Sequence, residues 1–181
     1  MKLGGGTHQL LHSGDGMAGE SPSFRSAGIV TVENLRRLGL APPENRMRRG
    51  PVAVVECPEF IPCNICVDAC PFRAISMNKI TDLPRIDWEL CTGCGTCVAL
   101  CPGLAIFVVD LSKPDKALVT VPHEFLPAPE VGEEVWLLGR DGRRLGKGKV
   151  VRVWERNKTW VVTVEVPKNL AMEVRAVWVE R

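Results

Sequence analysis

The sequence contains no tyrosine, only three histidines, and no apolar stretch that approaches the ~18–20 residues of a membrane-spanning helix. A transmembrane helix is therefore excluded. His123 is the only histidine beyond position 12, so the chain cannot assemble a Ser-His-Asp triad. The phosphate-loop motif G-x-x-x-x-G-K-[S/T] is also missing. We therefore expect no catalytic site belonging to this chain alone.

The charge distribution argues against a nucleic-acid-binding surface. The net charge is −4 over residues 51–126 and +3 over each of the flanking segments, 1–50 and 127–181. A nucleic-acid interface is expected to concentrate basic side chains on one face. The acidic middle of the chain is therefore predicted not to bind nucleic acid.

All eight cysteines lie between Cys57 and Cys101. Secreted proteins that depend on disulfides usually spread their cysteines over the whole fold. The second half of this cassette reads Cys91-Thr-Gly-Cys94-Gly-Thr-Cys97-Val-Ala-Leu-Cys101-Pro102, which is the bacterial iron–sulfur spacing C-x₂-C-x₂-C-x₃-C-P. Gly93 and Gly95 would let backbone N–H groups approach the sulfides closely.

The first half of the cassette has Cys57, Cys63, Cys66 and Cys70-Pro71, with five residues instead of two in its first gap. Glu59, Phe60 and Ile61 are expected to bulge outward as an insertion. Three closely spaced cysteines can reach three corners of a cubane cluster, while the fourth reaches across to the neighbouring cluster. The spacing thus predicts two [4Fe-4S] clusters, one bound by Cys57, Cys63, Cys66 and Cys101, the other by Cys91, Cys94, Cys97 and Cys70.

Two other interpretations use the same residues. Two zinc sites, each with four cysteine ligands, would not call for this doubled spacing. Disulfides are disfavoured because cysteines separated by two residues pair badly at such density. Loss of the second cysteine of a run, which usually accompanies a [3Fe-4S] centre, is not seen here because Cys63 and Cys94 are both present. Two [4Fe-4S] clusters are therefore the preferred prediction.

With this doubled motif, residues 51–110 resemble the bacterial 2[4Fe-4S] ferredoxin family. The resemblance implies an α+β fold with a pseudo-twofold βαβ-βαβ dicluster unit. Ala74 and Ile75 follow Cys70 as Ala105 and Ile106 follow Cys101, which indicates a duplicated half. Six apolar residues are expected to shield the clusters from water: Ile65, Phe72, Ile75, Val98, Leu104 and Ile106.

The chain is predicted to divide into four segments. These are a flexible leader or tag at 1–16, an N-terminal helical arm at 17–50, the ferredoxin domain at 51–126, and a small C-terminal antiparallel β-barrel module at 131–181. A short helix is expected at 31–39, and strands at 51–56, 105–110 and 117–121. The run Arg46, Arg48 and Arg49 is interpreted as a solvated surface, or as a docking strip for an acidic partner.

These features predict an electron-transfer subunit that passes single electrons between a partner redox enzyme and an acceptor. The arm before residues 51–60 is similar to ferredoxin-like subunits of flavin-dependent dehydrogenases of amines or amino acids, which implies a flavoprotein partner. The alternatives are a free-standing ferredoxin, or an iron–sulfur protein whose C-terminal barrel binds RNA. Thiolate-bound clusters and the lack of an export signal predict a cytoplasmic location.

Overall fold

The structure, a computed structural model, describes residues 24–180. The predicted leader at 1–16 lies outside the described residues. The helices are α1 (Phe24–Ala27), α2 (Val32–Arg37), α3 (Glu44–Met47), α4 (Ile65–Ala69) and α5 (Thr96–Leu100). The strands are β1 (Val52–Val55), β2 (Ile75–Ser76), β3 (Arg85–Ile86), β4 (Ile106–Asp110), β5 (Ala117–His123), β6 (Glu134–Leu138), β7 (Arg144–Arg156), β8 (Thr159–Val166) and β9 (Ala176–Trp178). Among the described helices, none has the length and hydrophobicity needed to cross a membrane.

The helix α2 starts at a capping box. The Thr31 hydroxyl accepts a hydrogen bond from the Asn34 N–H at 3.1 Å, and the Asn34 side-chain oxygen accepts one from the Thr31 N–H at 3.0 Å. The helix ends at Arg37, two residues before the predicted end. Gly39 follows with a φ of +68°, a conformation that glycine adopts without steric cost.

Seven strands form one antiparallel sheet in the order β1-β4-β5-β8-β7-β6-β9, and β2 and β3 form a separate pair. The cysteine cassette therefore runs β1, α4, β2, β3, α5 and β4 along the chain. Strand β5 pairs with β8 along its whole length, from Ala117 opposite Val166 to His123 opposite Trp160. The boundary predicted at 126–131 thus lies between strands of one continuous sheet.

The strands β1 and β4 are buried on both faces. Val52 and Val54 pack with the N-terminal arm and the C-terminal strands, whereas Ala53 and Val55 face the helix α5 and the cysteines. In β4, Phe107 and Val109 lie on the first side, and Ile106 and Val108 on the second. Burial on both faces explains why these segments are continuous β-branched runs rather than alternating ones. The sheet therefore separates two cores. Cys57, Cys66, Cys70, Cys97 and Cys101 lie against the second core, and Cys91 contacts both.

The three arginines of the arm do not form one surface. Arg48 and Arg49 are exposed, and they pair with Glu44 and Glu89 respectively. Arg46 is only 9% exposed. The prediction of a solvated run is wrong for Arg46, because backbone carbonyl oxygens from two loop segments surround its guanidinium group and replace water.

Truncation of Leu35 should show that the arm is part of the folded core. Leu35 is fully buried in α2, so we expect Leu35→Ala to destabilise the protein by about 2–5 kcal/mol through lost burial and a residual cavity. Leu38→Ala is the matched control. The Leu38 side chain follows α2 and is 37% exposed, so its truncation should destabilise the protein much less. Anaerobic thermal unfolding at one scan rate measures both. Equal losses in the two variants would contradict this packing.

Candidate metal centres

The first pocket is lined by Cys57, Cys63, Cys66 and Cys101. Cys57 follows β1, and Cys63 precedes α4 in the chain. Cys66 lies within α4, whereas Cys101 caps the carboxyl end of α5. The pocket therefore takes three cysteines from the first run and one from the second. These are the four side chains that the spacing assigned to one cluster, and their ligation stays a prediction.

The second pocket contains the other four cysteines, Cys70, Cys91, Cys94 and Cys97. Cys97 lies within α5, and Cys70 caps the carboxyl end of α4. The two helices therefore exchange their final cysteines between the pockets. In both pockets the four thiols are distributed around a wall that is otherwise largely apolar. Among the described residues, no group of three or more His, Cys, Asp or Glu side chains is arranged to hold a single metal ion.

The exchanged cysteines accept hydrogen bonds from equivalent backbone groups. The Ala74 N–H donates to Cys70 Sγ at 3.3 Å, and the Ala105 N–H donates to Cys101 Sγ at 3.5 Å. The preceding residues, Arg73 and Leu104, both have positive φ values, of 52° and 50°. Such a conformation costs a non-glycine residue about 1–2 kcal/mol. Both halves therefore use the same strained turn, which directs an N–H group at sulfur.

The glycines of the second run take up positions that a side chain could not. Gly93 has a φ of +64°, and a Cβ atom there would lie 2.5 Å from the Cβ of Pro51. Gly95 has a φ of +83°, and a Cβ there would lie 3.2 Å from the Trp154 ring. Close approach to the start of β1 therefore requires glycine at position 93, and the positive φ together with the tight Trp154 contact favours glycine at position 95. The Ala53 N–H of β1 in turn donates to Cys91 Sγ at 3.4 Å.

The electrostatics of the pockets disfavour free thiolates. Burial raises the pKa of the Cys66 thiol to about 11 and that of the Cys97 thiol to about 12. The neighbouring thiols of the same pocket, Cys101 beside Cys66 and Cys91 beside Cys97, raise these pKa values further. A bound cation reverses this effect because it stabilises the thiolate form. Four thiols with N–H donors directed at sulfur therefore fit an iron–sulfur cluster. Such a cluster supplies positively charged iron for the thiolates, and its sulfur atoms accept hydrogen bonds.

The apolar cover of the pockets is less complete than the sequence predicts. Ile75, Val98 and Ile106 are buried, as expected for a shield against water. Ile65 and Phe72 also line the pockets, but 42% and 48% of their surface is exposed. In the insertion, Phe60 and Ile61 are also exposed, which agrees with the predicted outward bulge. Each pocket therefore has an apolar rim at the protein surface.

Two kinds of residue at this site were not predicted from the sequence. The strained turn residues Arg73 and Leu104 could have been noticed, because each lies shortly after a Cys-Pro pair. The buried arginines that contact the cassette, Arg46, Arg140 and Arg175, gave no such signal. Their partners are backbone oxygens and a carboxylate that lie far away along the chain.

Comparison with known proteins indicates the class of cofactor that the cysteine cassette binds. Residues 61–105 match the family model of the 4Fe-4S dicluster domain. The chain is similar to the polyferredoxin-like subunit of the aliphatic sulfonate oxidoreductase of Pyrococcus furiosus, at 31% identity over 41% of this chain and 46% of that protein. It is also similar to one subunit of the ion-translocating oxidoreductase complex of Methanosarcina acetivorans, at 48% identity over 25% of this chain and 17% of that protein.

A third relative is a ferredoxin of Pyrobaculum islandicum, at 36% identity over 30% of this chain and 50% of that protein. The chain thus spans at most half the length of these three curated relatives. No solved structure matches the chain significantly. The cassette is a 4Fe-4S domain of the ferredoxin type, the class that carries electrons. The resemblance drawn from the doubled cysteine motif is confirmed.

A substitution at Gly93 should damage the second pocket. Gly93→Ala places a Cβ against Pro51 and forces alanine into a positive φ, so we expect a clear loss of iron per chain. Gly103→Ala is a control within the cassette, since a Cβ there meets nothing within 4 Å. Gly142→Ala, with a φ of +77° and equally open space, controls for the backbone strain alone. Iron retention by Gly93→Ala equal to that of both controls would contradict the close approach.

Proposed function

We propose that this chain binds two [4Fe-4S] clusters in a ferredoxin-like α+β dicluster domain and acts as an electron-transfer subunit. The observation that carries the proposal is the pair of four-cysteine pockets that exchange Cys70 and Cys101. The first pocket would use Cys57, Cys63 and Cys66 with Cys101, and the second Cys91, Cys94 and Cys97 with Cys70. The family match to a dicluster domain supports the cofactor class.

When bound, a [4Fe-4S] cluster accepts and releases one electron at a time. The chain's own residues hold it and set its surroundings. The N–H groups of Ala53, Ala74 and Ala105 point at cysteine sulfur atoms and would offset negative charge on them. The buried side chains of Ile75, Val98 and Ile106 keep water away from one side of the pockets. With a cluster bound, these N–H contacts would favour its more negative, reduced state.

Both pockets have a route to the surface, which suits a relay between two proteins. Ile61 and Ile65 form the exposed apolar rim of the first pocket. Phe72 and the exposed Cys94 belong to the rim of the second. Electron transfer weakens steeply with distance, so a partner must approach one of these rims. An electron could thus enter at one pocket and leave at the other.

We infer that the electron donor or acceptor is another subunit of an oxidoreductase complex in the cytoplasm. Two of the similar proteins are named as subunits of oxidoreductases, which supports this inference. A flavoprotein dehydrogenase of amines or amino acids is the partner that the arm's resemblance implies. A flavin accepts two electrons together as hydride, and a one-electron carrier would then remove them singly.

The cofactor content is the first test. Protein purified anaerobically should be brown and contain about eight iron and about eight sulfide ions per chain, as two cubane clusters require. The reduced protein should give EPR signals from two interacting clusters. Colourless protein that contains zinc would contradict the proposal, because zinc bound by four cysteines cannot carry electrons.

The subunit assignment has a separate test. Affinity purification of the chain from its native source should also recover a redox enzyme in a fixed ratio. Ile61→Ser and Ile65→Ser, placed on the exposed rim of the first pocket, should slow electron exchange with that enzyme while the iron content is kept. Leu126→Ser, at an 80%-exposed site outside both pockets, is the matched control. Recovery of a lone monomer would instead indicate a free-standing ferredoxin.

A further inference from the structure

We propose that the two added modules act as positioning devices for the clusters, each through buried arginines that fix the leading cysteine of one run. Arg46 of the N-terminal arm would position Cys91 in the second pocket. Arg140 and Arg175 of the C-terminal strands would position Cys57 in the first pocket through Glu56. This inference rests on the proposed function, since it concerns how the cysteines hold clusters.

The leading cysteines are the two that the cassette helices do not hold. The other six lie within two residues of α4 or α5, so the helices fix their spacing. Cys57 is separated from Cys63 by the insertion, and Cys91 follows a long segment in which β3 is only two residues long. Both therefore need contacts from elsewhere in the fold to stay at their pockets.

Arg46 donates hydrogen bonds to several backbone carbonyl groups at and near Cys91. Its guanidinium donates to the Cys91 carbonyl at 2.6 Å and to the Trp88 carbonyl at 2.7 Å. It also donates to the carbonyls of Gly50 at 3.2 Å and Pro51 at 3.4 Å. Pro51 is the residue against which Gly93 packs. One side chain of α3 thus joins the start of β1 to the loop that begins the second run.

A buried ion cluster fixes the residue before Cys57. Arg140 donates to both carboxylate oxygens of Glu56, at 2.6 and 2.7 Å, and Arg175 donates to one of them at 2.7 Å. The three side chains are only 7–8% exposed. The Glu56 N–H also donates to the Ala105 carbonyl at 2.7 Å. Glu56 is therefore held by its backbone and its side chain, and Cys57 is the next residue.

The ion cluster also ties the C-terminal module to the arm. Arg140 donates to the carbonyls of Val30 at 2.8 Å and Met172 at 2.7 Å, and Arg175 donates to the Val174 carbonyl at 2.6 Å. Burial lowers the pKa of Arg175, and the Glu56 carboxylate opposes that effect. A bidentate, buried arginine–carboxylate pair fixes geometry strongly because its hydrogen bonds are charge-assisted and directional.

Arg46 and the ion cluster around Glu56 differ in net charge, so their effects on the two pockets can be distinguished by experiment. At the second pocket, the Arg46 guanidinium binds neutral carbonyl oxygens, and Glu89, the carboxylate that interacts electrostatically with it, is paired with Arg49. A nearby positive charge stabilises the reduced, more negative state of a cluster. At the first pocket, Glu56 and the half-exposed Glu173 balance the two arginines. Arg46 should therefore affect mainly the reduction potential, and the Glu56 ion cluster mainly the retention of the metal.

The test is an anaerobic redox titration followed by EPR. Cys63→Ser and Cys94→Ser first assign the signals to the first and second pockets. Arg46→Gln should then lower the equilibrium constant for reduction of the second cluster alone about tenfold, which is ~59 mV for a one-electron couple. Arg46→Lys, which keeps the charge, should recover most of this shift. Arg48→Gln, at an exposed position beside it, is the control and should leave both midpoints unchanged.

For the other device, Glu56→Gln should reduce the signal of the first cluster per chain and leave the second. Because this variant leaves two arginines buried without their carboxylate, it can unfold the chain. Arg140→Lys keeps the charge and the Arg175 contact, so it serves as the milder variant, with circular dichroism as the check on folding. Equal changes in both clusters, or none in either, would overturn the positioning inference. A parent protein without cluster signals would instead overturn the proposed function.

Discussion

The rest of the site depends on one constraint, which is that each pocket must take its fourth sulfur from the opposite half of the cassette. Cys70 and Cys101 cap the carboxyl ends of two short helices, and each lies in the pocket of the other run. The turn after each of them is strained in the same way and directs a backbone N–H at the sulfur. Neither half can complete a pocket alone, so the two halves must fold together.

Strands β1 and β4 are buried on both faces, so the N-terminal arm and the C-terminal strands can pack against the sheet without enclosing the pockets. Strands β1 and β4 bury one face against α5 and the cysteines and the other against the arm and the C-terminal strands. The additional segments therefore build a second core behind the sheet. The front keeps exposed apolar rims around Ile65 and Phe72, where a partner could approach. A cassette exposed on all sides would lose more of its shielding from water.

Buried arginines connect these layers. A charged side chain is expensive to bury unless hydrogen bonds satisfy it. Arg46, Arg140 and Arg175 each satisfy their donors on backbone oxygens or on Glu56. These acceptors lie near a leading cysteine or between the modules. The cost of burying these arginines therefore arises beside Cys57 and Cys91, the two cysteines that α4 and α5 do not position.

The sequence alone determined the cysteine cassette, its ferredoxin-type class and the strands β1, β4 and β5, because these features depend on local spacing and on short apolar runs rich in β-branched residues. It could not show that β5 and β8 join the C-terminal strands to the cassette in one sheet, because pairing across about forty residues leaves no local pattern. It also suggested a wrong environment for Arg46, since exposed and buried arginines look alike in a basic run. Only the tertiary structure decided which backbone oxygens surround that side chain, and hence what a distant arginine contributes to the site.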